Sequence, residues 1–366
     1  MDSNPLVSIC IPAFNREKLV ENALMSATHQ TYPNIEVVVV DNASTDGTPK
    51  ILEKWSHRDP RIKYFRNKTN IGSGRNFLEC ARHASGYFAQ ALGSDDWLSR
   101  NYIGECVRQF RTYPDAASIV TDDIAFKTNA DGSLELLDMQ KISEGIYSSD
   151  WYFKHVGREP RWFSGFISMM RRDDMVRALT EEMENQEHWL QRGLLKEPID
   201  EIVYFRVLAR YPYLVLTKKA AYLKVVHETN VGLSGEISRS HNQLPYFLAV
   251  EVAREAFYRV HKPRYLKQLR IFACLEIAKR VVLQGILGII KAVGINRGKR
   301  INGYVENVKV FFDNYSGREK FLTSILLVPF LISRLLQKIQ RSHKPKRTFT
   351  PTNDYFLNKD YHFMVE

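Results

Sequence analysis

The chain has 366 residues, 44% of them hydrophobic, with 52 Lys or Arg against 41 Asp or Glu and a formal net charge of +11. That length exceeds the usual size of one compact domain and that apolar share is ample for a packed core, so a chain too polar to fold is excluded. Cys10, Cys80, Cys106 and Cys274 are scattered without metal-ligand spacing and lie mostly in apolar stretches, which argues against a disulfide or zinc framework and for reduced, cytosolic thiols.

The first apolar run, Leu6-Val7-Ser8-Ile9-Cys10-Ile11, and the second, Ile35-Glu36-Val37-Val38-Val39-Val40, are short, rich in β-branched residues and bounded by polar turns, the pattern of strands buried on both faces of a parallel sheet. Between them Leu19, Ala23, Leu24 and Ala27 recur at helical spacing, with Asn15 as a candidate cap. The first strand ends in Pro12-Ala13-Phe14-Asn15 without a glycine-rich turn, which counts against a dinucleotide-binding enzyme. The second ends in Asp41-Asn42-Ala43-Ser44-Thr45-Asp46-Gly47, a capped turn whose first acid is positioned to accept a hydrogen bond from a ligand such as a nucleobase imide. A second helical pattern, Phe77, Leu78, Ala81 and Ala84, follows Gly74.

The third strand candidate, Tyr87 to Leu92, delivers Gly93-Ser94-Asp95-Asp96 to its end. Adjacent acids repel unless something positive lies beside them. A divalent cation holding a diphosphate fits, because hard oxygen ligands suit magnesium or manganese; a loop or helix cap is the plainer alternative. Alternating strands and helices imply a doubly wound α/β fold, a Rossmann-like, mostly parallel sheet flanked by helices, whose ligands lie beyond the carboxyl ends of the strands. Asp41 and Asp95 then share one crevice. Further along, Asp122-Asp123 reads as a strand end and turn, and Asp173-Asp174 as a cap on the helix that follows.

Val7 to Arg16, Val40 to Thr48, Asn70 to Asn76 and Gly93 to Asp96, four blocks in order, resemble the family-two inverting glycosyltransferases, nucleotide-sugar enzymes with a Rossmann-like fold. The resemblance spans roughly residues 5 to 230. It implies that Pro12 and Ala13 line a nucleotide pocket with Ser94, that Asp41 binds the base, and that Arg75 lies near the base or diphosphate. Asp95 and Asp96 would then hold a divalent metal, Mn2+ or Mg2+. One departure is Gly93, where many members carry Asp or Asn. The family also places a catalytic base at a helix start about a hundred residues downstream, and Asp200 in Pro198-Ile199-Asp200-Glu201 matches it, with Glu201 the alternative, although Ile199 stands where Glu is common. His227, at the end of Ala221 to His227, would be a third ligand or a donor to the leaving phosphate. Trp162 and Phe163 would line the acceptor sugar site, with ordinary core packing as the alternative.

Charge divides the chain. Residues 1–239 balance at −2, whereas residues 240–366 carry +13. That boundary separates an expected nucleotide-sugar-binding catalytic region from a basic helical region. Its longest nearly uncharged run, Phe321 to Ser333, contains Pro329 and is too short to span a bilayer, which takes about 20 apolar residues. An apolar face with a basic border fits a helix lying on anionic lipid, or else a core helix with a solvated rim. No nucleic-acid recognition spacing accompanies these charges. The polar start, Met1-Asp2-Ser3-Asn4, is not a secretory signal.

The expectation is therefore a peripheral enzyme on the cytoplasmic face of a membrane. It would move a sugar from a nucleoside diphosphate sugar to a saccharide acceptor, lipid-linked, in bacterial cell-surface glycan assembly. A catalytically inactive glycan-binding or scaffold protein of the same fold is the alternative. A nucleotidyltransferase would want a glycine-rich basic loop after the first strand, which Pro12 to Arg16 does not offer.

Overall fold

The computed structural model describes residues 3–128, 134–139, 143–155, 168–191 and 199–226, with 259 and 261–263. The chain divides into two compact units, Met1–His261 and Lys262–Glu366, and nearly all described residues belong to the first. The charge boundary at 239/240, His227, Trp162, Phe163 and the Phe321 to Ser333 run lie outside the described residues.

Among the described residues ten strands form one mixed sheet. β1 (Val7–Ala13), β2 (Ile35–Asp41), β3 (Ile62–Arg66) and β4 (Phe88–Ala91) are parallel neighbours in the order β3-β2-β1-β4. β9 (Met169–Arg171) runs antiparallel to β4 and to β6 (Ala116–Thr128), so β6 points the same way as β4. β10 (Tyr213–Val226) lies parallel to β6 and antiparallel to the short β5 (Trp97–Leu98). β7 (Leu134–Met139) and β8 (Gly145–Ser148) pair with β6 and β10.

The expected mostly parallel sheet flanked by helices is what forms. β1 and β2 are buried along almost their whole length because helices cover both faces. Val7, Ile9 and Ile11 point into a core shared with Val20 and Leu24 of α1 (Val20–Thr28) and with Ile103, Val107 and Phe110 of α4 (Tyr102–Thr112). α2 (Thr48–Arg58) adds Leu52 to it. α3 (Ser73–His83) packs on β1, β2 and α6 (Arg172–Gln191); α7 (Ile199–Leu208) packs on α6 and β6, while α5 (Ser149–His155) follows β8.

At the amino ends of the strands, Ser8 and Glu36 are in register. The Glu36 carboxylate accepts from Ser8 Oγ (2.5 Å), Ser85 N (2.6 Å), Ser85 Oγ (2.8 Å) and Lys63 Nζ (2.5 Å). Burial alone would push its pKa up, but these donors outweigh burial and hold it down at about 2. Gly86 N donates to Ser8 Oγ (2.8 Å), so the network ties β1, β2, β3 and the entry to β4 together. Gly86 is demanded by space: a Cβ there would lie 2.7 Å from Ser8 N and 2.8 Å from Leu6 O.

Two local expectations are corrected. Asn15 does not cap the first helix, which starts at Val20; Asn15 takes a left-handed φ of 51° and its side-chain Oδ1 accepts from Thr45 N (2.9 Å). Asp122-Asp123 is not a strand end, because β6 continues to Thr128 along β10 and carries both acids mid-strand. Asp173 and Asp174 sit within the first turn of α6, where Asp174 accepts from Tyr211 Oη (2.5 Å).

Candidate active site

The strand order places β1 beside β4 although the chain leaves β1 toward β2, so the sheet reverses its winding between them. Such a switch point opens a crevice at the carboxyl ends, where ligands of this architecture bind. Ala13, Asp41 and Arg66 end β1, β2 and β3 in one register row. Ala13 and Asp41 are buried and Pro12 is partly exposed. Asp41 Oδ1 accepts from Ser44 N (3.0 Å), and Arg66 Nε stands 3.1 Å from Oδ2.

Two loops form the wall above this row, and side chains stitch them together. Asn15 N donates to Ser44 Oγ (2.9 Å), Arg16 N to Thr48 Oγ1 (2.7 Å) and Glu17 N to Asp46 Oδ2 (3.1 Å), while Gly47 N donates to Glu17 Oε2 (2.8 Å). Burial would raise the Asp46 pKa, yet hydrogen bonds from Thr48 and Glu17 bring it below the ordinary value. Ala43 is held at φ 60°, a left-handed conformation uncommon for a residue with a Cβ, which fits an over-determined binding turn.

An asparagine ladder braces the opposite wall. Asn67 Nδ2 donates to Asn42 Oδ1 (3.0 Å) and Asn76 Oδ1 (2.8 Å), Asn42 Nδ2 to Asn70 Oδ1 (2.8 Å), and Asn76 Nδ2 to the Val40 carbonyl (3.1 Å). The block Asn70 to Asn76 is thus tied to the turn that holds Asp41. Arg75 stands exposed in the first turn of α3.

Past β4, Ser94 is buried and the acid pair folds back over Gly93. Tyr222 Oη donates to Asp96 Oδ2 (2.9 Å) and Val225 N to Asp96 Oδ1 (3.0 Å), so β10 fixes this carboxylate. Gly93 N in turn donates to Tyr222 Oη (2.9 Å). A Cβ on residue 93 would lie 2.6 Å from Asp96 Oδ2 and 2.9 Å from Asp95 Oδ1, which explains glycine where an acid was expected. Burial, then the Asp95 charge, push the Asp96 pKa well above the usual carboxylate range against the hydrogen bonds from Val225 and Tyr222. Asp95 Oδ2 is 3.7 Å from Arg16 Nε, across the mouth between β1 and β4.

These residues fit a divalent cation. Two carboxylates with hard oxygens lie together, and their mutual repulsion is what a bound cation would relieve. Asp96 is already held by two protein donors, Tyr222 Oη and Val225 N. Among the described residues no group of three or more His, Cys, Asp or Glu stands together, so an ion here would draw its other ligands from phosphate and water.

Asp200 falls in the first turn of α7, as its helix-start reading expects; its side chain lies outside the described set, as does His227, one residue past the end of β10. Asp123 pairs in register with Tyr222 and holds Lys224 Nζ (2.7 Å), so it stands beside the residue that fixes Asp96; Asp122 is buried with Lys218 Nζ at 3.7 Å from Oδ1.

Two neighbours of the acids were not singled out from sequence, Arg66 at Asp41 and Arg16 at Asp95; Tyr222, at Asp96, lies in the Ala221 to His227 run that the resemblance set near the diphosphate. Arg66 could have been found as the basic end of a third strand level with the second. The partner of Asp96 lies 126 residues away in sequence, and no local signal connects them.

Residues 8–173 match the family model described as Glycosyl transferase family 2. Abequosyltransferase RfbV of Salmonella typhimurium is 40% identical over 101 residues, covering 27% of this chain and 30% of that protein. Chondroitin synthase of Escherichia coli is 36% identical over 118 residues, covering 32% of this chain and 17% of that one. The chain thus spans less than a third of the length of either relative. A crystal structure of S. aureus TarS residues 1–349 with UDP-GlcNAc superposes with a TM-score of 0.48 at 14% identity, covering 75% of this chain and 81% of that one. Over residues 8–173, a little under half of its length, this chain is similar to glycosyl transferase family 2.

Proposed function

We propose that the chain transfers a sugar from a nucleoside diphosphate donor to a hydroxyl of a saccharide acceptor, with inversion at the anomeric carbon. The observation that carries this reading is the convergence of Asp41 and the Asp95-Asp96 pair at the carboxyl end of one sheet, on the two sides of its switch point. The family-model match and relatives named abequosyltransferase and chondroitin synthase support a sugar-transfer reaction.

In this reading Asp41, at the foot of the crevice, accepts from the base, and Pro12, Ala13, Ser94 and Arg75 shape the donor pocket. Asp95, steadied by Asp96, would hold a Mn2+ or Mg2+ ion. That ion, when bound, offsets the negative charge that builds on the departing diphosphate. The acceptor oxygen attacks the anomeric carbon from the face opposite the diphosphate. A C–O bond to the acceptor forms as the C–O bond to the diphosphate breaks, and the acceptor proton passes to the Asp200 carboxylate. His227 and the Trp162-Phe163 pair are assigned to the diphosphate and the acceptor sugar. Residues 1–239 form the catalytic region, and the basic residues 240–366 dock it on the cytoplasmic face of an anionic membrane, which suits a lipid-linked acceptor in cell-surface polysaccharide assembly.

The test is incubation of the purified chain with UDP-, GDP-, CDP- and dTDP-sugars and Mn2+, with and without lipid-linked saccharide. Donor turnover should fall by about 100-fold or more in D200N while nucleotide binding persists. A chain that neither binds nor turns over any of these donors would refute the proposal, and one that turns them over equally well as D200N would remove Asp200 from it. Flotation with phosphatidylglycerol vesicles tests the membrane assignment, which fails if the chain stays with neutral and anionic lipid alike in the unbound fraction.

A further inference from the structure

We infer that Arg16 is a second recognition residue of this crevice: in the ligand-free protein it faces the Asp95 carboxylate, and it turns to the donor's diphosphate when nucleotide binds. The inference rests on the donor-site reading above. Arg16 follows β1 and Asp95 follows β4, so the ion pair at 3.7 Å spans the mouth of the switch point itself. The backbone of Arg16 cannot follow a ligand. Its N donates to Thr48 Oγ1 (2.7 Å), and its carbonyl accepts from Leu19 N (3.0 Å) and Val20 N (2.9 Å) at the start of α1.

The side chain is held much more loosely. Nη1 reaches the Phe14 and Asn15 carbonyls at 3.4 and 3.2 Å, both long for such bonds. Nε is buried and hydrogen-bonded to nothing among the described residues, since Asp95 Oδ2 lies beyond bonding range. A buried guanidinium N–H without an acceptor is costly, and a phosphate oxygen at the crevice mouth would satisfy it. The planar fork of arginine suits phosphate better than a single carboxylate oxygen at this distance.

The charges then predict two effects of opposite sign. A cation approaching Asp95 without nucleotide competes with Arg16, whereas a diphosphate gains from it. A purely structural role for Arg16 would weaken both or neither.

The experiment uses the purified full chain, with Mn2+ alone titrated by the EPR signal of the free ion, and with UDP, GDP, CDP and dTDP titrated by calorimetry in the presence of Mn2+. In R16Q, Mn2+ alone should bind about threefold tighter, and the nucleotide that wild type prefers should bind about tenfold weaker. R16Q that binds Mn2+ no tighter, or nucleotide within twofold of wild type, overturns the inference. Should R16Q not fold, R16K, which keeps the charge but not the fork, is read instead: about threefold weaker nucleotide binding supports the inference, and unchanged binding overturns it. Wild type that binds none of the four nucleotides overturns the donor-site reading and the inference together, whereas wild type that binds one while R16Q does the same overturns the inference alone.

Discussion

Replacing Glu36 with Gln should destabilise the protein by about 2 kcal/mol at pH 7, and the difference should vanish in acid. The carboxylate is 5% exposed and its pKa is lowered from 4.5 to about 2 by Lys63, Ser8 and Ser85 donors that outweigh burial. A gap of that size corresponds to about 3 kcal/mol of linked stability. Lys63 is 44% exposed and its attraction is screened, which lowers the figure to about 2 kcal/mol. Because the folded-state pKa is depressed, the contribution is fully present above pH about 4.5 and is lost as pH falls toward 2. Urea unfolding of wild type and E36Q at pH 7, 5, 4 and 3 reads this directly. Wild type should lose stability more steeply than E36Q between pH 4.5 and 3, so that the two curves converge. Parallel curves, or a pH 7 difference under about 0.5 kcal/mol, would refute the claim that this carboxylate is what ties the strand ends.

Three further outcomes follow from the geometry. Gly86→Ala sets a methyl against the backbone of Ser8 and Leu6, neither of which can yield without breaking the β1–β4 pairing, so a loss of about 3 kcal/mol or more is expected in the same urea assay. Gly93→Ala should drive Asp95 and Asp96 outward at the cost of the Tyr222 and Val225 hydrogen bonds to Asp96, lowering kcat/KM for the preferred donor by about 100-fold; activity within threefold of wild type would show that the carboxylates need not lie where they do. Asp41→Asn should weaken nucleotide binding by about tenfold in calorimetry while Mn2+ binding without nucleotide stays as it was, because Asp41 lies on the β2 side of the crevice, and the acid pair follows β4.

The alternation of β-branched runs with helical patterns determined the parallel sheet unaided, since a strand buried on both faces has to be apolar at every position, and Val37 to Val40 satisfy this. The crevice also followed, because Asp41 and the Asp95-Asp96 pair each stand where an apolar run ends. Where local chemistry had two outlets, the sequence was silent. Asn15 has the side chain of a helix cap, but tertiary contact with Thr45 and Ser44 drew it into the neighbouring loop. Asp122-Asp123 has the look of a turn, but pairing with β10 kept the strand going. Above all, only the folded chain set Tyr222 and Val225 on Asp96, Arg16 opposite Asp95 and both carboxylates over Gly93. Those contacts join positions up to 129 residues apart, and a separation of that kind is decided by strand order and packing, which act on the whole sheet and leave no trace in any short window of sequence.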